Sequence, residues 1–354
     1  MRYLDLFSGI GGFALGITEA YNNQPQSEMR RSEEGGNGTA DEQRELVHAR
    51  LKSPFSKHYF SEIDKYATRV YQRHFPDAIT LGDIRNIKPE ELGKIDLITF
   101  GFPCQDLSIA GNRKGLGGSR SGLFFEAIRL IRELKPQIFV FENVKGLFSS
   151  GGGRDFVEVL RTVADLRIYE CEWQLLNTKW VLPQNRERIY FIGHLAGTGG
   201  RKVFPIRGDN ETADGLQGQS ITNAIKARYE GGGDGSYVVE SKQYAQTRKN
   251  SQGYRVRDTK GVSTTLVGQS TTLVGQAGGG RSKDRQDKHG VFNGKRIRRL
   301  TPGECEKLQG FYPGWTEFDC DGNKVSDSQR YKMLGNAVSV PIVKMVFDRV
   351  AWIG

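Results

Sequence analysis

Through the N-terminal half of the chain, short apolar runs alternate with stretches whose apolar residues return every three or four places. The runs at 3–7, 58–62, 95–100, 137–142 and 188–193 are rich in β-branched and aromatic residues, the composition and length of strands. Between them, 64–75 and 122–135 carry apolar side chains at helical spacing. In the second stretch these are Phe124, Phe125, Ile128, Ile131 and Leu134, and Pro136 stops it because proline cannot continue a helix. Strands and helices in this rhythm predict an α/β fold, a doubly wound and mostly parallel sheet covered by helices.

Two regions break the rhythm. Residues 22–54 turn polar around Gly35, Gly36, Asn37 and Gly38, the composition of a disordered or loosely helical surface insertion. From 195 to 293 the chain becomes rich in Gly, basic residues and Ser/Thr/Gln and loses the alternation, as a smaller, irregular lobe would. Within it, 263–269 is repeated at once as 270–276, a local duplication too short for a repeat architecture. Apolar patterning returns at 301–309 and 338–352. The expected layout is a large domain over 1–194, a second over 195–325, and a segment 326–354 returning to the first.

Composition narrows the partner. A length of 354 residues suits a large domain plus a smaller one. Lys plus Arg number 51 against 41 for Asp plus Glu, a formal charge of +10 that favours a polyanion over an acidic small molecule. The 4 cysteines form no CxxC pair, which argues against a zinc module or a disulfide framework, so no metal site is expected. The N-terminus enters a strand directly, without a signal-peptide layout, and no run approaches a membrane span. The expectation is a soluble cytoplasmic protein.

The candidate chemistry lies at predicted strand ends, where open α/β sheets bind ligands. Asp5 Leu6 Phe7 Ser8 Gly9 Ile10 Gly11 Gly12 joins a strand to a helix through a glycine-rich turn, which lets backbone approach a ligand. The glycines lack the dinucleotide fingerprint spacing, which disfavours NAD. Glu62 ends the next strand as a ribose-binding acid would, and Asp83 follows at a further end, suited to an adenine amino group. Phe100 then leads into Gly101 Phe102 Pro103 Cys104 Gln105, which sets a thiol on a loop at a strand's carboxyl end. As a nucleophile Cys104 needs a partly exposed, electropositive setting, and the basic loop around Arg113, Lys114 and Arg120 suits a phosphate backbone. Glu142 Asn143 Val144 closes the following strand. In Gln184 Asn185 Arg186 Glu187 Arg188 the alternating charges are expected to send Arg186 and Arg188 to opposite faces, one of them toward the site.

Taken in order, Phe7 to Gly12, Glu62, Asp83, Pro103 Cys104 Gln105, Glu142 Asn143 Val144 and Gln184 to Arg188 resemble the motifs of DNA cytosine-5 methyltransferases of the bacterial or phage, restriction-modification type. The resemblance resumes with Arg298 to Cys305, with Gln309 Gly310 Phe311 and with Gly335 Asn336 Ala337 Val338. It implies a Rossmann-like methyltransferase domain with a target-recognition domain at 195–325. It implies S-adenosylmethionine held by Phe7, Gly9, Ile10, Gly12, Glu62, Ile63, Asp83, Ile84, Pro103, Asn336 and Ala337. Ile63 departs from the aromatic often found there, which shifts adenine stacking toward Phe7 and Ile84.

The implied reaction is methyl transfer to carbon 5 of a flipped cytosine in duplex DNA. Cys104 attacks carbon 6, Glu142 serves ring N3, and Arg188 holds O2 and helps position Glu142, with Arg186 grouped beside them as catalytic. DNA contacts are expected from Ser108, Arg120, Gln252, which resembles the residue that fills the vacated stack, and Thr265 or Thr272 in the duplicated segment. The resemblance implies a monomer, acting separately from any cognate restriction endonuclease in a bacterial or phage-infected cell. Two alternatives are a tRNA cytosine-5 methyltransferase, which the large basic lobe disfavours, and an inactive DNA-binding relative, which the intact Cys104, Glu142 and Arg188 disfavour.

Overall fold

The structure is a computed structural model that describes residues 1–23, 51–102, 122–207 and 300–350, with the backbone of 222–223, 237–240 and 296–299. The strands of its main part are β1 (Arg2–Leu6), β2 (Lys57–Ser61), β3 (Ile79–Thr80), β4 (Leu97–Gly101), β5 (Ile138–Val144), β6 (Tyr169–Asn177), β7 (Gln184–Asn185) and β8 (Glu187–Leu195). Among the described residues all of these but β7 build a seven-stranded sheet in the order β3-β2-β1-β4-β5-β8-β6. The pairs from β3 through β5 are parallel, whereas β8 runs antiparallel to both β5 and β6. The mostly parallel sheet expected from the sequence is therefore present, with an antiparallel end.

Strand β6 escaped the apolar pattern because it is an edge strand. Its polar Glu170, Glu172 and Gln174 alternate with Cys171, Trp173 and Leu175, as suits a strand with one neighbour.

Helices α1 (Gly12–Asn22), α2 (Lys65–His74), α3 (Leu123–Leu134), α4 (Arg154–Ala164), α5 (Pro302–Gln309), α6 (Asp327–Asn336) and α7 (Val340–Phe347) surround the sheet. Alternation along the strands splits the core. Leu4, Leu6, Ile98, Phe100, Phe139, Phe141, Ile189 and Phe191 pack with residues of α3 and α4. Tyr3, Leu97, Ile138, Val140, Tyr190 and Ile192 pack on the opposite face with α1 and α7. Period-two alternation buried on both faces is what a layered α/β sheet requires.

Packing on the sheet and its helices extends past 194 and includes residues before 326. Val203, Phe204 and Ile206 still belong to the core of the sheet, and Glu172 and Gln174 accept their backbone N–H groups. Leu300, Cys305, Phe311 and Trp315 share a third core with Ile10, Leu15 and Val70. Packing on the large domain thus continues to Ile206 and resumes at Leu300, well before 326, because these apolar side chains find their cover on α1 and α2. At the edges of the polar stretch, Asn22 lies in α1, its Nδ2 donates to Lys52 O and its Oδ1 accepts from Lys52 N. No helix among the described residues is long and apolar enough to cross a membrane.

Candidate active site

The glycine-rich turn after β1 is built by close approach. Phe7 has φ 51, an uncommon left-handed backbone for a bulky residue, the kind of strain that clusters at ligand sites. Gly11 has φ 87 and caps α1. A Cβ on Gly12 would lie 2.7 Å from Val338, so the turn meets the 335–338 segment only because glycine stands there. Over Gly9 the space is open. Trp315, fully buried, donates its indole N–H to Ile10 O at 2.9 Å and ties the C-terminal part to the same turn.

Neighbouring strand ends converge on this turn. Gly9 N donates to Glu62 Oε2 at 2.9 Å, while Ile63 N and Asp64 N donate to Oε1 at 2.8 Å each. Ser8 N donates to Ser61 O at 3.1 Å, and Ser61 Oγ to Gly82 O at 2.6 Å, just before Asp83. The Arg85 guanidinium beside Asp83 holds its carboxyl below the usual carboxylate range. The two isoleucines part company here: Ile84 is 2 % exposed within the core and Ile63 is 75 % exposed. Phe7 packs against the cluster that encloses Ile84. The free apolar surface at this strand end belongs to Ile63.

The second half of the site is an ion pair. Glu142, buried near the end of β5, has Arg188 Nε 2.7 Å from its Oε1. The guanidinium N–H is not aimed along that line, so Oε1 keeps its hydrogen-bonding capacity although it is buried. Arg188 lies opposite Val144 in the β5–β8 register, one diagonal step from Glu142 on the same face. Gly101, at the end of β4, lies against the carboxyl; a Cβ there would be 3.3 Å from Glu142 Oε2.

Asn143, beside Glu142 in the motif, has a structural part of its own. Its buried Nδ2 donates to Phe102 O at 3.0 Å, bracing the chain two residues before Cys104. Only the motif it shares with Glu142 could have signalled it.

The expectation that Arg186 and Arg188 face opposite ways is corrected. Positions two apart in an extended chain share a face, and the groups acting on Arg186 are Arg188, Glu142 and Tyr190. What differs is reach. Arg186 is buried and donates from Nη2 to Ala337 O at 2.7 Å, with Gly335 O at 3.5 Å. Burial first, then the Arg188 charge, push its guanidinium down to about 9.

A model of the C-5 cytosine-specific DNA methylases matches residues 1–352. The chain belongs to that family. Among its relatives are the Type II methyltransferase M1.ScrFI of Lactococcus lactis subsp. cremoris, 31 % identical over 98 % of this chain and 77 % of its own length. The Type II methyltransferase M.HhaI of Haemophilus parahaemolyticus is 30 % identical over 98 % of this chain and 93 % of its own. The crystal structure of S. pombe Dnmt2 methyltransferase shares the fold at 18 % identity with a TM-score of 0.55, covering 98 % of this chain and 97 % of that one. A DNA cytosine-5 methylase is thus what the turn, the strand-end acids and the Glu142–Arg188 pair belong to.

In this methylase, Pro103, Cys104, Ser108, Arg120, Gln252, Thr265 and Thr272 lie outside the described residues. The structure reaches Phe102 on one side of the thiol loop and Gly122 on the other. Asn336, exposed, and Ala337, buried, stand at the end of α6 beside the Gly12 contact with Val338.

Proposed function

We propose that this methylase acts through Cys104 on a cytosine turned out of double-stranded DNA, with S-adenosylmethionine as the methyl source. The observation that carries the reading is the buried Glu142–Arg188 pair, whose Oε1 has no hydrogen-bond partner, one strand from the β4 end that leads into Pro103 and Cys104. Attack by a thiolate on ring carbon 6 makes carbon 5 nucleophilic and pushes charge toward N3. Glu142 then holds or donates a proton at N3, and Arg188 pairs with the base O2 while steadying Glu142. Turning the base out of the stack costs a few kcal/mol, which contacts from Ser108, Arg120, Gln252 and Thr265 or Thr272 offset.

The chain's residues fit the cofactor. A turn open over Gly9, a buried Ser8 Oγ without a partner, an acid at Glu62 and a bare apolar surface at Ile63 suit a nucleoside with ribose hydroxyls. Phe7, Ile10, Gly12, Asp83, Ile84, Pro103, Asn336 and Ala337 complete the set by resemblance. When bound, the group supplies an electrophilic methyl on a sulfonium. In this reading the methylase works as a monomer in the cytoplasm, and any partner endonuclease acts separately.

The test is covalent capture. DNA in which 5-fluorocytosine replaces cytosine cannot release the final adduct, so the enzyme with S-adenosylmethionine should give a complex that survives denaturation, and Cys104→Ser should give none. No adduct on DNA substituted at every cytosine would remove the covalent reading. Bisulfite sequencing of DNA from expressing cells then gives the methylated site.

A further inference from the structure

We propose that Arg186 is a positioning residue for the cofactor half of the site, clamping the turn that presents Asn336. This rests on the reading above, in which Asn336 and Ala337 face S-adenosylmethionine and Glu142 with Arg188 faces the base. It moves Arg186 from the base, where the sequence grouped it, to the other ligand.

The geometry around the turn carries the inference. Asn336 is the last residue of α6 and is exposed, whereas Gly335 and Ala337 on either side are buried. Arg186 Nη2 reaches the carbonyls of both neighbours, Ala337 O at 2.7 Å and Gly335 O at 3.5 Å, and so brackets Asn336 from behind. Carbonyls at a helix C-terminus have no partner within the helix and carry partial negative charge. A buried guanidinium there supplies both donors and charge.

The other end of this strut is fixed as well. Arg186 N donates to Asn177 Oδ1 at 3.2 Å and Thr178 N to Arg186 O at 2.9 Å. Asn177 Nδ2 in turn donates to Asn185 Oδ1 at 2.9 Å. Two residues along, Arg188 holds Glu142. One short stretch of backbone therefore grips both halves of the site, Arg186 the cofactor turn and Arg188 the base acid.

The experiment compares Arg186→Met, Arg186→Lys and Arg188→Met with wild type. S-Adenosylmethionine binding is measured without DNA by equilibrium dialysis of the radiolabelled compound, and KM and kcat are measured on unmethylated plasmid DNA. Arg186→Met should weaken cofactor binding and raise its KM by about tenfold, with kcat at saturating cofactor within about threefold of wild type. Arg186→Lys, which keeps the charge and one donor, should recover most of the lost affinity. Arg188→Met should show the reverse split, a fall in kcat with cofactor affinity unchanged.

Cofactor affinity at the wild-type level in both Arg186 variants, with kcat lost, would return Arg186 to the base and overturn the proposal. A parallel fall of affinity, kcat and melting temperature, without recovery by lysine, would reduce it to a general structural part and overturn it equally. If Arg186→Met does not fold, Arg186→Lys decides alone: a KM raised about threefold at unchanged kcat supports the clamp, and an unchanged KM removes it. Failure of the underlying reading looks different, because wild-type protein itself would then bind no S-adenosylmethionine.

Discussion

Asp5 and Glu142 are buried carboxyl groups on the same face of one sheet, in step with Tyr3 and with Ile138 and Val140 of a common core. Asp5 is ringed by hydroxyls. Thr99 Oγ1 donates to its Oδ1 at 2.9 Å and Tyr71 Oη to its Oδ2 at 3.1 Å, with Tyr3 Oη 2.6 Å from Thr99 and His58 Nε2 2.7 Å from Tyr71. Burial pushes the Asp5 carboxyl up to about 8, against the pull of those hydroxyls. Glu142 instead has a guanidinium at 2.7 Å and an oxygen able to accept a further bond. Burial alone therefore does not mark a reactive acid. In the proposed reading a cationic partner and an unfilled oxygen do, and Asp5, whose oxygens are taken, serves as a tie between β1, β4 and α2 beneath the glycine-rich turn.

The same isosteric change at both positions should separate them most widely. Glu142→Gln removes the transferable proton and should lower kcat by about 10²–10⁴. Asp5→Asn at neutral pH replaces a largely protonated acid by an amide that can still accept from Thr99 and donate to Tyr71, so activity should stay within about threefold. Single-turnover methyl transfer at saturating cofactor measures both. Comparable losses would break the comparison.

A second test uses pH. Asp5 is raised from 3.8 to about 8, so the folded protein holds that proton longer than the unfolded chain. Its stabilising contribution is complete below about pH 4 and is lost as pH rises to 8, on the order of 5 kcal/mol across that range. His58 is lowered by burial from 6.5 to about 3. Its contribution is complete above 6.5 and is lost as pH falls toward 3, by a similar order. Between about 4 and 6.5 the two slopes oppose each other, so wild-type stability should change little there and fall from 6.5 to 8. Asp5→Asn should abolish the fall above 6.5 and uncover a loss as pH drops from 6.5 to 4, whereas His58→Gln should let stability rise as pH drops over that same range. Urea unfolding from pH 4 to 9 reads both; an unchanged alkaline limb in Asp5→Asn would mean that Asp5 is ionised when folded.

Much of this was legible in the chain. Strands buried on both faces announce themselves by apolar runs, so β1, β2, β4, β5 and β8 and the acids at their ends followed from residue order. Edge strand β6 did not, because half its residues meet water. The packing of Ile206 and Trp315 against the sheet and its helices was not legible, because they are apolar residues in glycine-rich or short patterned stretches and only tertiary contact shows what covers them. Arg186 and Arg188 were equivalent in sequence. Their division depends on the 335–337 turn, whose Ala337 is brought alongside from 151 residues away in the chain.

The comparison has an apolar counterpart at the cofactor turn, and it yields the smallest expected effect. Ile84 and Ile63 both follow a strand-end acid, yet Ile84 is enclosed at 2 % exposure and Ile63 stands at 75 %. If free surface marks the residue that meets a ligand, Ile63→Trp should offer the adenine a flat face and tighten S-adenosylmethionine binding by about 2- to 10-fold. An exposed side chain can be enlarged without core strain, so the melting temperature should hold. Ile84→Ala should do the opposite, costing about 2–5 kcal/mol of stability through the cavity it leaves while changing affinity far less. Calorimetric titration of both variants decides the matter. An Ile63→Trp protein that binds no tighter, beside an Ile84→Ala protein that folds well but binds poorly, would show that the ring stacks over the buried isoleucine after local opening, and that exposure in the unliganded site is the wrong guide.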